Sequence, residues 1–298
     1  MTDILERIRS FEKTKDFFIG IDSDGCVFDS MGVKHKECFC PAFINVMNLQ
    51  GVSDAAREVW EFVNLFSKTR GINRFKALIL SLDFLREHPE VKKRGVEVPR
   101  MDALREWTER ESALGMSGLL REIDEHPHPD LLQARDWSEE VNLAVGRIVR
   151  NLAPFPAVPD ALKQMVRHAD TMVVSQTPVA NIEHEWKENG IHDYVQTIAG
   201  QEMGSKAFHL KTAAYERYEP SSILMIGDAP GDYSAAQEIG ALFYPIIPGG
   251  EETAWRRFVD EALPAFLDGK YRGEYEKSLL DDFHRSLPST PHGIIHDF

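Results

Sequence analysis

Four apolar runs of strand length mark the second half of the chain: Thr171-Met172-Val173-Val174, Tyr194-Val195-Gln196-Thr197-Ile198, Ser222-Ile223-Leu224-Met225-Ile226-Gly227 and Leu242-Phe243-Tyr244-Pro245-Ile246. Amphipathic stretches at 160–168, 181–189, 207–218 and 233–239 precede or separate them. Strands that alternate with helices pair in parallel, because each helix carries the chain back to the same edge, and the helices come to cover both faces of the sheet. An earlier run, Phe17-Phe18-Ile19-Gly20-Ile21, ends in Asp22-Ser23-Asp24-Gly25 and supplies one more strand. The expectation is an α/β fold, a Rossmann-like parallel sheet whose ligand sits beyond the carboxyl ends of the strands. At 298 residues with 43% hydrophobic content, the chain is long enough to bury such a core.

The stretch between the first strand and the rest has a different period. Val59, Phe62, Val63 and Phe66, then Phe75, Leu78, Ile79 and Leu82, then Val141, Val145 and Ile148 recur at helical spacing. Ser53-Asp54 and Ser138-Glu139-Glu140 read as helix starts with acid in the first turn, and 124–130 reads as a loop. The borders fall at 30–33 and at the Pro-containing run 151–159. This predicts an α/β core from residues 1–32 and 152–298, with an all-helical domain, 33–151, inserted between.

The first strand delivers two carboxylates, Asp22 and Asp24, which share a direction if the extended geometry persists. Like charges so close in a low-dielectric crevice require a proton or a cation between them. The other strands end in Ser175, with Gln176 beside it, and in Asp228 and Asp232, while Lys206 opens the helix before the Asp228 strand. Hard carboxylate oxygens suit Mg2+, which completes its shell with water and a substrate phosphate oxygen, and a carboxylate left on one side can attack phosphorus. A formal charge of −14 disfavours nucleic acid as a partner, and no apolar run is long enough for a membrane span. The lack of an export signal and the odd count of three cysteines, Cys26, Cys38 and Cys40, point to a cytoplasmic protein with free thiols.

Taken in order, Asp22-Ser23-Asp24-Gly25, Ser175, Lys206 and Gly227-Asp228-x-x-x-Asp232 resemble the four motifs of the haloacid dehalogenase superfamily of phosphohydrolases. The resemblance implies Asp22 as nucleophile and metal ligand, and Asp24 as general acid/base with its backbone carbonyl on Mg2+. It implies Ser175 as a phosphate donor, Lys206 as a charge clamp, and Asp228 and Asp232 as metal-side carboxylates. It makes the helical insertion a mobile cap. An acid at Asp24 favours phosphate esters, whose leaving oxygen must be protonated, over the halide-releasing and phosphonate-cleaving branches. Val27-Phe28-Asp29-Ser30 followed by His35 looks like the capped subgroup of β-phosphoglucomutase and small sugar-phosphate phosphatases.

The resulting expectation is a Mg2+-dependent phosphatase acting on a small phosphorylated metabolite through an aspartyl-phosphate, with a phosphomutase as the nearest alternative. A receiver-type phospho-Asp signalling module or a non-catalytic phosphate-binding protein are the alternatives of another class. Cys26 stands where the family more often has Thr, Lys211 competes with Lys206, and the insertion is longer than the subgroup's small four-helix caps. Within the insertion, Arg70 and Arg74 in the basic turn Lys68-Thr69-Arg70-Gly71-Ile72-Asn73-Arg74 are the expected substrate contacts, weighed against a solvated helix connection. His35 stands between a hinge contact and a polar helix residue. His126 and His128 read as solvated, and Cys38-Phe39-Cys40 lacks the second ligand pair of a zinc site.

Overall fold

The structure, a computed structural model, describes residues 2–291; the expected core segment's end, 292–298, lies outside the described residues. Five strands, β1 (Phe17–Ile21), β2 (Ala169–Val174), β3 (Thr197–Ala199), β4 (Ile223–Gly227) and β5 (Leu242–Pro245), form one sheet in the order β3-β2-β1-β4-β5. Every pairing is parallel. Their near-continuous apolar character follows from cover on both faces: Phe17 meets Phe266 at 5.1 Å on one, while Phe18 meets Tyr218 at 5.5 Å on the other. Gly20 shares the Phe18 side, where a Cβ would come within 2.9 Å of the Leu210 side chain. A larger residue at that strand's centre would therefore have to push aside the Leu210 side chain, on the helix that carries Lys206.

The register aligns the strand ends. Ile21 pairs with Val173 on β2 and with Ile226 on β4, so Asp22, Ser175 and Asp228 emerge at one edge of the sheet. The third apolar run is shifted from its expected bounds. Residues His192–Tyr194 wind into a 3-10 turn instead, with Tyr194 O accepting from Thr171 Oγ1 at 2.6 Å, and the strand begins at Thr197. The expected 207–218 helix is likewise divided into an α-helix, Lys206–Leu210, and a wider π-helical turn, Lys211–Tyr215.

The chain divides into two compact units, Met1–Ser30 with Leu152–Ser286, and Met31–Asn151 with the residues from Leu287 onward. The last described segment thus groups with the helical unit, where Pro288 O accepts from Lys68 N at 3.2 Å, and not with the sheet. The second unit is helical, and its interior is built on Phe43, Trp60, Phe75, Trp107 and Trp137. Trp60 and Trp137 meet edge to face at 5.8 Å. A helix starts at Ser53 as the sequence suggests, but Ser138 is a buried mid-helix residue. Its helix runs Pro129–Ile148, because Pro at its first position fits a helix start and the His128 ring accepts from Asp130 N at 3.2 Å as the cap. No helix among the described residues is long and apolar enough to cross a membrane.

Candidate active site

β1 delivers Asp22 while still hydrogen-bonded as a strand, Asp22 N donating to Ile226 O at 2.9 Å. The chain then winds around the Ser23 carbonyl, which accepts from Val27 N at 2.9 Å and Phe28 N at 3.2 Å. The turn passes through Gly25 at φ 78°, a left-handed conformation that favours glycine. Asp22 Oδ1 accepts from Ser23 N at 2.8 Å, and Oδ2 faces Lys206 Nζ at 2.8 Å.

Across from it, Asp232 sits in the first turn of the Pro230–Glu238 helix. Its Oδ2 accepts from Asp228 N at 3.2 Å and Ala229 N at 3.0 Å, and its Oδ1 accepts from Lys206 Nζ at 2.5 Å. A Cβ on Gly227 would fall 2.4 Å from that carboxyl group, so the glycine before Asp228 is what lets Asp232 fold back under the strand end. Asp22, Asp228 and Asp232 are all buried and present carboxylate oxygens within 4.8 Å of one another.

The electrostatics follow from that crowding. Burial, reinforced by Asp232 and Asp228 and opposed by Lys206, pushes the Asp22 carboxyl well above the usual carboxylate range. Lys206 moves upward too: burial works against its charge, but Asp22 and Asp232 outweigh that and keep it an ammonium. One ammonium shared by two carboxylates is secure, yet it does not offset the burial of Asp22 together with its acidic neighbours. A further cation would. Three converging hard oxygen donors fit a divalent ion such as Mg2+.

Asp24 is not part of the trio. Its carboxylate accepts from Ser30 Oγ on one oxygen and from Thr177 Oγ1 at 2.5 Å on the other. Ser175 is buried at the end of β2, and its Oγ accepts from Thr177 N at 3.2 Å. Gln176 Nε2 donates to Gly204 O at 2.8 Å, tying this turn to the loop ahead of Lys206. Lys206, and not the exposed Lys211, meets the acids. Cys26 is buried, and burial together with the three acids pushes its thiol up, so it stays protonated. Sequence reasoning missed Ser30 and Thr177 as partners of Asp24. Thr177 left a usable signal, a second hydroxyl just past the end of a strand.

Arg70 and Arg74 belong to the helical unit. Arg70 is buried, with Nη1 donating to Leu65 O at 2.9 Å. Arg74 lies 5.1 Å over the Phe39 ring and donates from Nη1 to Ser138 Oγ at 3.0 Å and Asn142 Oδ1 at 2.8 Å. Burial lowers its pKa.

Residues 101–245, just under half of the chain, match the family model described as haloacid dehalogenase-like hydrolase. This part of the chain is similar to haloacid dehalogenase-like hydrolases. The match covers Ser175, Lys206, Asp228 and Asp232 and stops short of the strand that carries Asp22. Solved structures similar to this chain include a haloacid dehalogenase-like family hydrolase of Streptococcus pneumoniae, at 14% identity over 82% of this chain and 92% of that one, with a TM-score of 0.41. A protein described as a predicted phosphoglycolate phosphatase of Haemophilus somnus is 13% identical over 78% and 86% of the two chains, with a TM-score of 0.45. A haloacid dehalogenase-like family hydrolase of Xanthomonas campestris is 14% identical over 87% and 97%, with a TM-score of 0.41. No curated protein matches the sequence significantly.

Proposed function

We propose that this chain is a Mg2+-dependent phosphatase that hydrolyses a small phosphorylated metabolite in the cytoplasm through an aspartyl-phosphate on Asp22. The observation that carries the reading is the buried acidic trio with Lys206 Nζ 2.8 Å from Asp22. In the first step an Asp22 oxygen forms a bond to phosphorus as the bond to the ester oxygen breaks, and Asp24 gives that oxygen its proton. In the second, Asp24 takes a proton from water as the water oxygen bonds to phosphorus and the Asp22–phosphorus bond breaks. Lys206 and the Ser175 hydroxyl offset charge on the phosphoryl oxygens. Asp22, Asp228 and the Asp24 carbonyl would hold the Mg2+, with Asp232 behind them; when bound, the ion supplies positive charge to the phosphoryl group and relieves the repulsion among the acids.

Asp24 accepts from two hydroxyls, which hold its carboxyl group in place at the mouth of the strand. For the rest of the substrate we assign Gln176, Arg70 and Arg74. Arg74 is the better placed arginine, since among the described residues its Nε and Nη2 make no hydrogen bond while Nη1 is anchored. Such a fork suits a carboxylate or hydroxyl-rich group.

The test is a screen of phosphorylated metabolites with Mg2+, reading free phosphate. Release from at least one metabolite that disappears in Asp22→Asn is the expected result; release that persists in Asp22→Asn, or none from any metabolite, overturns the reading. Phosphoryl transfer from Asp22 to a hydroxyl of a sugar phosphate, giving the bisphosphate, instead of to water would identify a mutase. Replacing Arg70 and Arg74 with Ala should weaken the best metabolite while sparing p-nitrophenyl phosphate.

A further inference from the structure

Two tryptophans far apart in sequence donate to the turn that carries the acid pair. Trp186, in the Val179–Glu188 helix, donates from Nε1 to Ser23 Oγ at 3.0 Å. Trp255, in the Glu251–Arg257 helix, donates from Nε1 to Cys26 O at 2.8 Å. Both indoles are fully buried. Their acceptors flank Asp24 and Gly25 in sequence, and the Ser23 carbonyl between them is already wrapped by the amides of Val27 and Phe28. Trp186 also packs edge to face on Phe28, at 6.3 Å, where the turn ends.

We propose that Trp186 and Trp255 are positioning residues that hold the Asp22–Gly25 turn in register with Lys206 and Asp228. This rests on the assignment of Asp22 as nucleophile. A buried indole N–H needs some acceptor, and most core tryptophans find one in a neighbouring helix or strand. Here two separate helices commit theirs to one short turn, and that turn carries a left-handed glycine and an under-neutralised acid. The turn's own hydrogen bonds fix its curvature, and Thr177 Oγ1 on Asp24 and Phe155 N on Val27 O hold it from outside. Two buried indole donors add restraints at its Ser23 and Cys26 flanks. An oxygen that must meet phosphorus in line is sensitive to small movements of the turn, because displacements on the order of 1 Å cost about a hundredfold in rate.

The experiment compares Trp186→Phe, Trp255→Phe and Ser23→Ala with the wild type on the best metabolite found in the phosphate-release screen. Phe keeps most of the ring and removes the N–H; Ser23→Ala removes the acceptor and leaves Trp186 in place. Each should lower kcat about tenfold with KM changed less than about twofold. Trp186→Phe combined with Ser23→Ala should be no worse than either alone, since both delete one hydrogen bond. Thermal unfolding identifies a variant that fails to fold, in which case Ser23→Ala decides for Trp186, and Trp255→His, which keeps a ring N–H, decides for Trp255 by restoring kcat. Folded Phe variants with wild-type kcat, or losses that follow KM, overturn the proposal and leave the phosphatase reading intact. A wild type that releases phosphate from no metabolite overturns the phosphatase reading and this proposal with it.

Discussion

Two buried aspartates at opposite ends of the same sheet are treated in opposite ways. Asp170 begins near the amino end of β2, and Asp22 follows the carboxyl end of β1; they are 2% and 5% exposed. Asp170 accepts from Thr14 N at 2.7 Å, Thr14 Oγ1 at 2.5 Å, Lys15 N at 2.8 Å, Gln196 Nε2 at 2.6 Å and Tyr218 OH at 2.7 Å. Burial pulls its carboxyl upward, yet the hydrogen bonds from Thr14, Tyr218 and Lys15 together hold it below the usual range. Burial drives the Asp22 carboxyl up, and the two acids it faces add to that against the pull of Lys206. The fold can therefore bury a carboxylate comfortably when neutral donors surround it. At the other end of the sheet three acids share a single ammonium, and on the proposed reading a metal ion would bring the remaining positive charge.

The strongest way to break that contrast is Asp22→Asn. We expect turnover to fall at least about a thousandfold, the scale seen when an activated group is removed, while the melting temperature holds or rises because an under-neutralised acid is gone. Steady-state kinetics with calorimetry checks both; a large drop in melting temperature would make Asp22 a structural acid like Asp170. Next in size is the metal. Chelation should abolish activity, and Asp228→Ala should raise the Mg2+ concentration for half-maximal activity by about tenfold or more. Turnover that survives exhaustive chelation would mean that Lys206 alone neutralises the cluster.

Asp170→Asn tests the opposite pole. It should destabilise by about 3 kcal/mol, because an amide cannot accept from the same set of donors, and leave kcat per folded molecule unchanged, as denaturant titration and active-site counting would show. The smallest expected effect is in pH. Burial, helped by Lys206, pushes the fully buried His209 ring down to about 4, from a usual 6.5. Between those values the unfolded chain binds more protons than the native one, so the stability from the neutral ring is complete above pH 6.5 and lost as pH falls towards 4. The lowered carboxyl of Asp170 acts in the same direction further down, its contribution lost as pH falls below the carboxylate's ordinary range. Between pH 7 and 4 the wild type should lose on the order of 2 kcal/mol more stability than His209→Gln, as thermal unfolding of the two would show, the raised Asp22 carboxyl acting in the opposite direction in both; equal slopes in the two proteins would remove His209 as the cause.

The end with the acidic trio was the more legible of the two. Asp22, Ser175 and Asp228 each directly follow a strand, so apolar runs and register bring them together without knowledge of distant contacts. Lys206 could be chosen over Lys211 from its Gly204-Ser205 context, and the structure places it against Asp22 and Asp232. Asp170 was invisible as a hub, because its donors come from residues 14, 15, 196 and 218, and no local pattern records such separations. The same holds for Trp186 and Trp255. Ser138 was misread for a different reason: Ser before two acids is a helix-start pattern, but it also occurs within a helix when the hydroxyl has a tertiary partner, here Arg74. The Tyr194 run failed because β-branched and aromatic composition does not distinguish a strand from the tight turn leading into it.

The neck of the inserted segment has an implication for how such a chain tolerates change. Phe28 pairs with Pro154 in an antiparallel bridge, and Phe155 N donates to Val27 O at 2.9 Å. The outgoing and returning chains are thus zipped together within the sheet unit before the helices begin. The entropy of closing a loop grows only with the logarithm of its length, and here the closure is made by backbone contacts that do not involve the insert. Insertions of many sizes are therefore nearly equivalent to the sheet that hosts them. A chain in which 31–151 is replaced by a short glycine-rich link should still assemble its five strands, and lineages sharing this neck would be free to exchange what lies beyond it.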